Sequence, residues 1–209
     1  MFVYNTYFRK RGKTEIKNLL ILIIAILYLC TVFFPINNAF ESTSYNIIYV
    51  DDDNIDGPWD GSSDHPYNNL QDAINAALNG DIIYVFSGVY SQYAIVNKSV
   101  NLVGENKNNT IIDGNSTLAR IIQIDVSNVS ISNFSLVNSI KTELAQAIYV
   151  FNNNFQIKNI KISDCIIKDN GKGIYLNNVT NISITNCDIH NNFAQSILAG
   201  KVDNIFINN

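Results

Sequence analysis

Beyond residue 120 the chain alternates apolar and polar positions in short runs broken by Asn, Asp or Gly. Three segments align without gaps: "NVSISNFSLVNS" from Asn128, "NIKISDCIIKDN" from Asn159 and "NISITNCDIHNN" from Asn181. All read N-(V/I)-x-I-(S/T)-(N/D)-(F/C)-x-(L/I)-x-(N/D)-x, and "NIFINN" from Asn204 opens a fourth copy. The step from Asn159 to Asn181 is 22 residues and that from Asn181 to Asn204 is 23; the step from Asn128 to Asn159 is longer and takes in "FNNNFQ". A further run precedes each copy: "IIQI" at Ile121, "AIYV" at Ala147, "GIYL" at Gly173 and "SILA" at Ser196. Each repeat therefore holds three short period-2 runs and has no room for a helix. Three strands per coil of that length predict an all-β solenoid, a parallel β-helix whose strands stack about 4.8 Å apart.

Alternation assigns the inward positions. On the first strand of successive coils they are Ile122 and Ile124, Ile148 and Val150, Ile174 and Leu176. On the second they are Val129 and Ile131, Ile160 and Ile162, Ile182 and Ile184, and on the third Phe134 and Leu136, Cys165 and Ile167, Cys187 and Ile189. Asn133, Asp164 and Asn186 share a turn position where left-handed geometry and amide stacking favour Asn or Asp, which predicts a structural ladder. Cys165 and Cys187 stack on one position, and parallel side chains aim sulfurs poorly for a bridge, so a buried, reduced ladder is expected.

Upstream, "NNLQDAINAALNGDIIYV" changes period. Leu70, Ala73, Ile74, Ala77 and Leu78 fall at helical spacing, with Asn68 or Asn69 as N-cap and Gly80 suited to the left-handed C′ position. An open solenoid end exposes apolar surface and strand edges, so this helix is expected to cover it. The same logic applies at the far end. Ile197, Ile205 and Ile207 would lie bare at Asn209, so the sequence leads one to expect further coils, a cap or an end-to-end partner.

Leu19 to Phe34 is apolar except for Thr31 and follows Arg9, Lys10, Arg11, Lys13 and Lys17. Residues 1–40 thus read as a signal peptide or an N-terminal membrane anchor, and either places the rest in an extracellular or cell-surface setting. Residues 41–95 form the N-terminal cap of acidic loop, helix and first strands, and residues 96–209 the coils. Formal net charge is −4 over 209 residues, and Arg120 is the only arginine beyond Arg11, so a nucleic-acid partner is excluded.

The stretch "IYVDDDN…GPWDGSSDHPYNNLQDAINAALNGDIIYVFSGVY", followed by "VNLVGENKNNTIIDGN", carries a family resemblance. With Pro66, Gln71, Ala73, Ile74, Gly80, Asp81, Gly88 and Tyr90 as its pattern, it resembles the start of right-handed parallel β-helix proteins of the pectin-lyase-like superfamily. Secreted archaeal surface proteins and the β-helix region of NosD-type periplasmic proteins are similar to it. The resemblance implies the fold; for function it implies little, since lyases, hydrolases, adhesins and accessory proteins share that fold.

Candidate chemistry is sparse. Asp52, Asn54 and Asp56, before Gly57, match the first half of an EF-hand calcium loop, but Ser63 stands where the closing Glu belongs. The loop is either a solvated entry to the cap helix or a Ca2+ site. The Asn-Thr-Asp, Asp-Asp and Gly-His-Gly segments of polygalacturonases do not occur on the repeats, nor do clustered Asp ligands with a basic partner. Tyr149 and Tyr175 face outward on consecutive first strands beside Gln123, an arrangement that suits sugar rings and hydroxyls or, equally, plain cross-strand tyrosine packing. The expected function is a secreted or cell-surface module, non-catalytic, that binds polysaccharide or serves a structural or adhesive role. The alternative is the N-terminal part of a polysaccharide lyase or glycoside hydrolase with its catalytic coils beyond residue 209.

Overall fold

The structure is a computed structural model that describes residues 17, 21–24 and 45–208. The chain divides into two units, Met1–Ser42 and Thr43–Asn209. Lys17 and residues 21–24 are helical. The rest of the expected export or anchor segment lies outside the described residues, among which no helix is long and apolar enough to cross a membrane.

The second unit is a right-handed parallel β-helix. One sheet holds β1 (Ile47–Val50), β2 (Ile82–Val85), β5 (Asn101–Gly104), β8 (Val129–Ser132), β11 (Ile157–Ser163), β14 (Val179–Thr185) and β17 (Val202–Asn208), in that spatial order. A second holds β4 (Ala94–Val96), β7 (Arg120–Ile124), β10 (Gln146–Val150), β13 (Lys172–Leu176) and β16 (Ile197–Ala199). The third holds β3 (Gly88–Tyr90), β6 (Thr110–Asp113), β9 (Ser135–Val137), β12 (Ile166–Lys168) and β15 (Asp188–His190). Each strand in a sheet comes from a different coil, and its pairings are parallel. Ile160 pairs with Val129 and Ile182, so the 22-residue step is one turn of the solenoid.

The inward set is where alternation puts it. All eighteen assigned side chains are buried except Ile189, which packs against the core in part. Ile205 and Ile207, in register with Ile182 and Ile184, are 42% and 51% exposed.

The helix α1 (Leu70–Ala76) touches β1, β2 and β4 and covers the first coil with Leu70, Ala73 and Ile74. Asn69 is its N-cap, accepting from the Asp72 N–H at 2.8 Å. The C-terminal end differs from expectation. Ala77 is already extended (ψ 153°), so the helix stops before Leu78 can join the buried face, and Leu78 is 67% exposed. Gly80 is left-handed (φ +98°) but terminates no helix; its N–H donates to Ser99 O in the next coil. The early stop follows from Asp81, whose carboxylate accepts from the N–H groups of Leu78 and Asn46 and so draws the chain out of helical path.

Two side-chain ladders run along the turns. The expected one is present: Asn133, Asp164 and Asn186 have φ of 63°, 55° and 52°, and the Asn186 amide donates to Asp164. A longer one involves the first residue of each repeat. Asn159 donates to Asn128 at 2.8 Å, Asn181 to Asn159 at 3.1 Å and Asn204 to Asn181 at 3.0 Å, all four with φ between 54° and 60°. Each such residue kinks its strand, and the amide bond to the next coil offsets part of the left-handed strain.

Cys165 and Cys187 are buried thiols, unbridged as expected. Hydrogen bonding between them splits their acidities, raising Cys165 above the ordinary thiol value and drawing Cys187 down to about 7.

Candidate functional site

The outward face of the second sheet gathers a dense set of polar and aromatic side chains joined by hydrogen bonds and ring contacts. Gln123, Tyr149, Tyr175 and Leu198 share a register column on β7, β10, β13 and β16. Strand alternation points all four away from the core, because their neighbours Ile122, Ile124, Ile148 and Ile174 must point inward.

The tyrosines stack face to face, 5.1 Å between centroids and 7° between planes. Arg120, from the coil on the other side, lays its guanidinium 3.8 Å from the Tyr149 ring centre. Both faces of Tyr149 are therefore covered, one by Tyr175 and one by Arg120. Phe151 meets its edge at 6.2 Å. Burial pushes the Tyr149 phenol above its ordinary pKa, against the opposing pull of Arg120.

Gln123 is the hub of the polar part. Its Oε1 accepts from Tyr93 Oη at 2.6 Å and from Arg120 Nη1 at 2.8 Å, while its Nε2 donates to Asp125 at 2.8 Å. Asn177 donates to Tyr175 Oη at 3.3 Å. Beside Arg120 a cavity of about 290 Å³ opens, lined by Tyr93, Thr117, Leu118, Ala119, Arg120 and Leu144. The structure thus brings Tyr149, Tyr175 and Gln123 together, and adds Tyr93, Arg120 and Asp125. Asp125 was findable, two residues from Gln123 on one strand face. Tyr93 was not, since its coil lacks the repeat consensus.

The geometry changes how a ligand would be held. Stacked along the solenoid axis, the rings offer edges and hydroxyls to solvent rather than open faces. What the surface presents is a row of hydrogen-bonding groups, a guanidinium and one carboxylate, held in place by one another before any ligand arrives. A glycosidase needs two carboxyl groups flanking the bond, and on this cluster Asp125 is the only one.

The acidic loop is braced by its own side chains. Asp52 Oδ2 accepts from the Val89 N–H at 3.0 Å, tying the loop to β3, and its Oδ1 is buried without a hydrogen-bond partner. Gly88 makes that approach possible, because a Cβ there would sit 1.8 Å from Asp52 Oδ1. Asn54 donates to Pro66 O at 2.6 Å, and Asp56 is exposed. Asp51 and Asp60 accept from backbone N–H groups two residues on, at 3.1 and 2.9 Å, in the manner of turn-forming aspartates. Among the described residues no group of three His, Cys, Asp or Glu side chains is placed to hold a metal ion. Because Asp52 and Asn54 serve as loop braces, a chelator is expected to leave Tm unchanged; a fall of several degrees that calcium reverses would make the loop a calcium site.

Comparison with solved structures returns pectin methylesterases. A pectin methylesterase in complex with a hexasaccharide and the PemA enzyme from Erwinia chrysanthemi each align at 16% identity and a TM-score of 0.48. Each alignment covers 80% of this chain and 67% of theirs. The enzyme from carrot aligns at 14% and 0.45, over 77% of this chain and 63% of its own. No curated protein matches the chain. Residues 54–208 match the family model described as "Protein of unknown function (DUF1565)", and the chain belongs to that family.

Proposed function

We propose that this protein is a non-catalytic β-helix module, secreted or held at the cell surface, that binds a polysaccharide along the outward face of β7, β10 and β13. One observation carries the reading: the preorganised row of Tyr93, Gln123, Arg120, Asp125, Tyr149 and Tyr175 beside an open cavity. A polymer chain laid along successive coils would meet Gln123, Tyr149 and Tyr175 in turn and would be held by hydrogen bonds and the guanidinium. The basic-then-apolar segment before residue 40 supports export or anchoring.

Affinity electrophoresis of the full chain against neutral and anionic polysaccharides tests this. Retardation by at least one polymer is expected. Gln123→Ala should weaken it about tenfold, because its loss releases both Arg120 and Tyr93. Tyr175→Ala should have a similar effect, and His190→Ala, on another sheet, none. No retardation by any polymer, or equal retardation of Gln123→Ala, would remove this face from consideration.

A further inference from the structure

The cavity beside Arg120 differs in chemistry from the polar row next to it. It lies where three successive coils enter the second sheet: Tyr93 precedes β4, Thr117, Leu118 and Ala119 lead into Arg120 at the start of β7, and Leu144 precedes β10. Its apolar wall is Leu118, Ala119 and Leu144, none of which belongs to the hydrophobic core, and Leu144 is 84% exposed. The polar groups of the lining are already engaged. Leu118 O accepts from the Ile140 N–H at 2.9 Å, Ala119 O from the Gln146 N–H at 2.8 Å and Leu144 O from Gln146 Nε2 at 2.6 Å. Thr117 Oγ1 donates to Gly114 O at 3.4 Å, and Tyr93 Oη to Gln123 at 2.6 Å. Arg120 is the exception. Of its five N–H groups, one at Nη1 is given to Gln123, and the guanidinium forms no ion pair among the described residues.

The cavity thus offers a ligand hydrogen-bond donors on one side and an apolar wall on the other, with no carboxylate in its lining. A sugar hydroxyl wants a donor and an acceptor and finds the acceptors taken. An ammonium group meets a like charge. A carboxylate suits Arg120 but brings nothing apolar to the leucines, which would strip water from its second oxygen. A neutral acyl group matches both halves: its carbonyl oxygen accepts from Arg120, and its methyl covers Leu118, Ala119 and Leu144. We propose that this cavity receives an acetyl substituent, amide- or ester-linked, of a polysaccharide lying on the outward face of β7, β10 and β13. Such a role rests on the glycan binding proposed for that face and specifies what the bound polymer carries.

Titration calorimetry of the full chain with matched pairs of sugars tests it. The N-acetylglucosamine hexamer is set against cellohexaose, the same backbone with hydroxyls in place of acetamido groups. O-acetylated xylan is set against the same xylan after mild alkali. In at least one pair the acetylated member should bind about fourfold tighter, the effect of burying about one methyl. The pair that differs identifies an amide or an ester. Leu144→Ser, checked for folding by its melting curve, should bring the two members level, while His190→Ala, on the third sheet, should keep the difference. Equal affinities in both pairs, tighter binding of a galacturonate oligomer than of either acetylated ligand, or an advantage that survives Leu144→Ser would overturn the acetyl site. If unsubstituted polymers retard the chain through Gln123 and neither pair differs, the glycan face stands and the acetyl site falls. If no polymer retards it, both fall.

Discussion

Replacing Asn170 by alanine is expected to cost about 3–5 kcal/mol, among the largest losses available from one side chain in this fold. Asn170 is completely buried at the turn that leaves β12 for β13. Its Oδ1 accepts from the Ser139 N–H at 2.9 Å, and its Nδ2 donates to Leu136 O and Lys168 O at 2.9 and 2.8 Å. Ser139 replies by accepting from the Gly171 N–H at 3.0 Å. Alanine strands one donor and two acceptors away from water, each worth about 1–3 kcal/mol. Aspartate keeps the shape but turns an oxygen toward two carbonyls, so it should be no better. Urea unfolding followed by circular dichroism would show the loss as a lowered midpoint, and an Asn170→Ala midpoint within about 1 kcal/mol of wild type would refute the argument.

Gly104→Ala should be comparably damaging for a steric reason, at about 3 kcal/mol. Gly104 ends β5 directly beneath Asn133 of the next coil. An added Cβ would sit 2.2 Å from the Asn133 carbonyl oxygen and 3.0 Å from its carbon. Both contacts are backbone, so neither can swing away, and the coils must part at the foot of the Asn133–Asp164–Asn186 ladder. Gly80→Ala, where a Cβ meets nothing within 4 Å but the backbone is left-handed (φ +98°), isolates conformational strain without a clash and should cost about 1–2 kcal/mol. A Gly104→Ala melting temperature equal to that of the wild type would show that the coils do not meet there as described.

Neither residue was legible beforehand, and the reason is instructive. The repeat consensus ends in a free position, occupied by Ser139, Asn170 and Asn192. Asn192 repeats the device, donating to Ile167 O at 3.1 Å and accepting from the Asn170 N–H. A serine in one coil hid a role that depends on which backbone groups a neighbouring coil leaves unsatisfied. Gly104 is similar: its requirement is set by a carbonyl 29 residues on in the chain.

The core was legible because period-2 alternation reports directly on which face is inside, and a 22-residue step fixes which residues stack. The helix was legible from its apolar spacing, but not its end, which Asp81 decides from outside. At the candidate site, Tyr149, Tyr175 and Gln123 followed from the same alternation. That Arg120 closes the second face of Tyr149 did not, since it depends on a long side chain folding back from the edge of its own strand.

The solenoid register also governs how such a gene can change length. Lys158 could be joined to Asn181 by losing residues 159–180, and Val129 would then face Ile182, with apolar positions still inward and Asn128 still beneath Asn181. A loss of 21 or 23 residues counted from Asn159 would turn the next strand's apolar side outward. Insertions and deletions inside the stack are thus tolerated in whole coils, while the turns at 138–145 and 151–156 absorb odd residues. Descendants of one ancestor should differ by multiples of one coil.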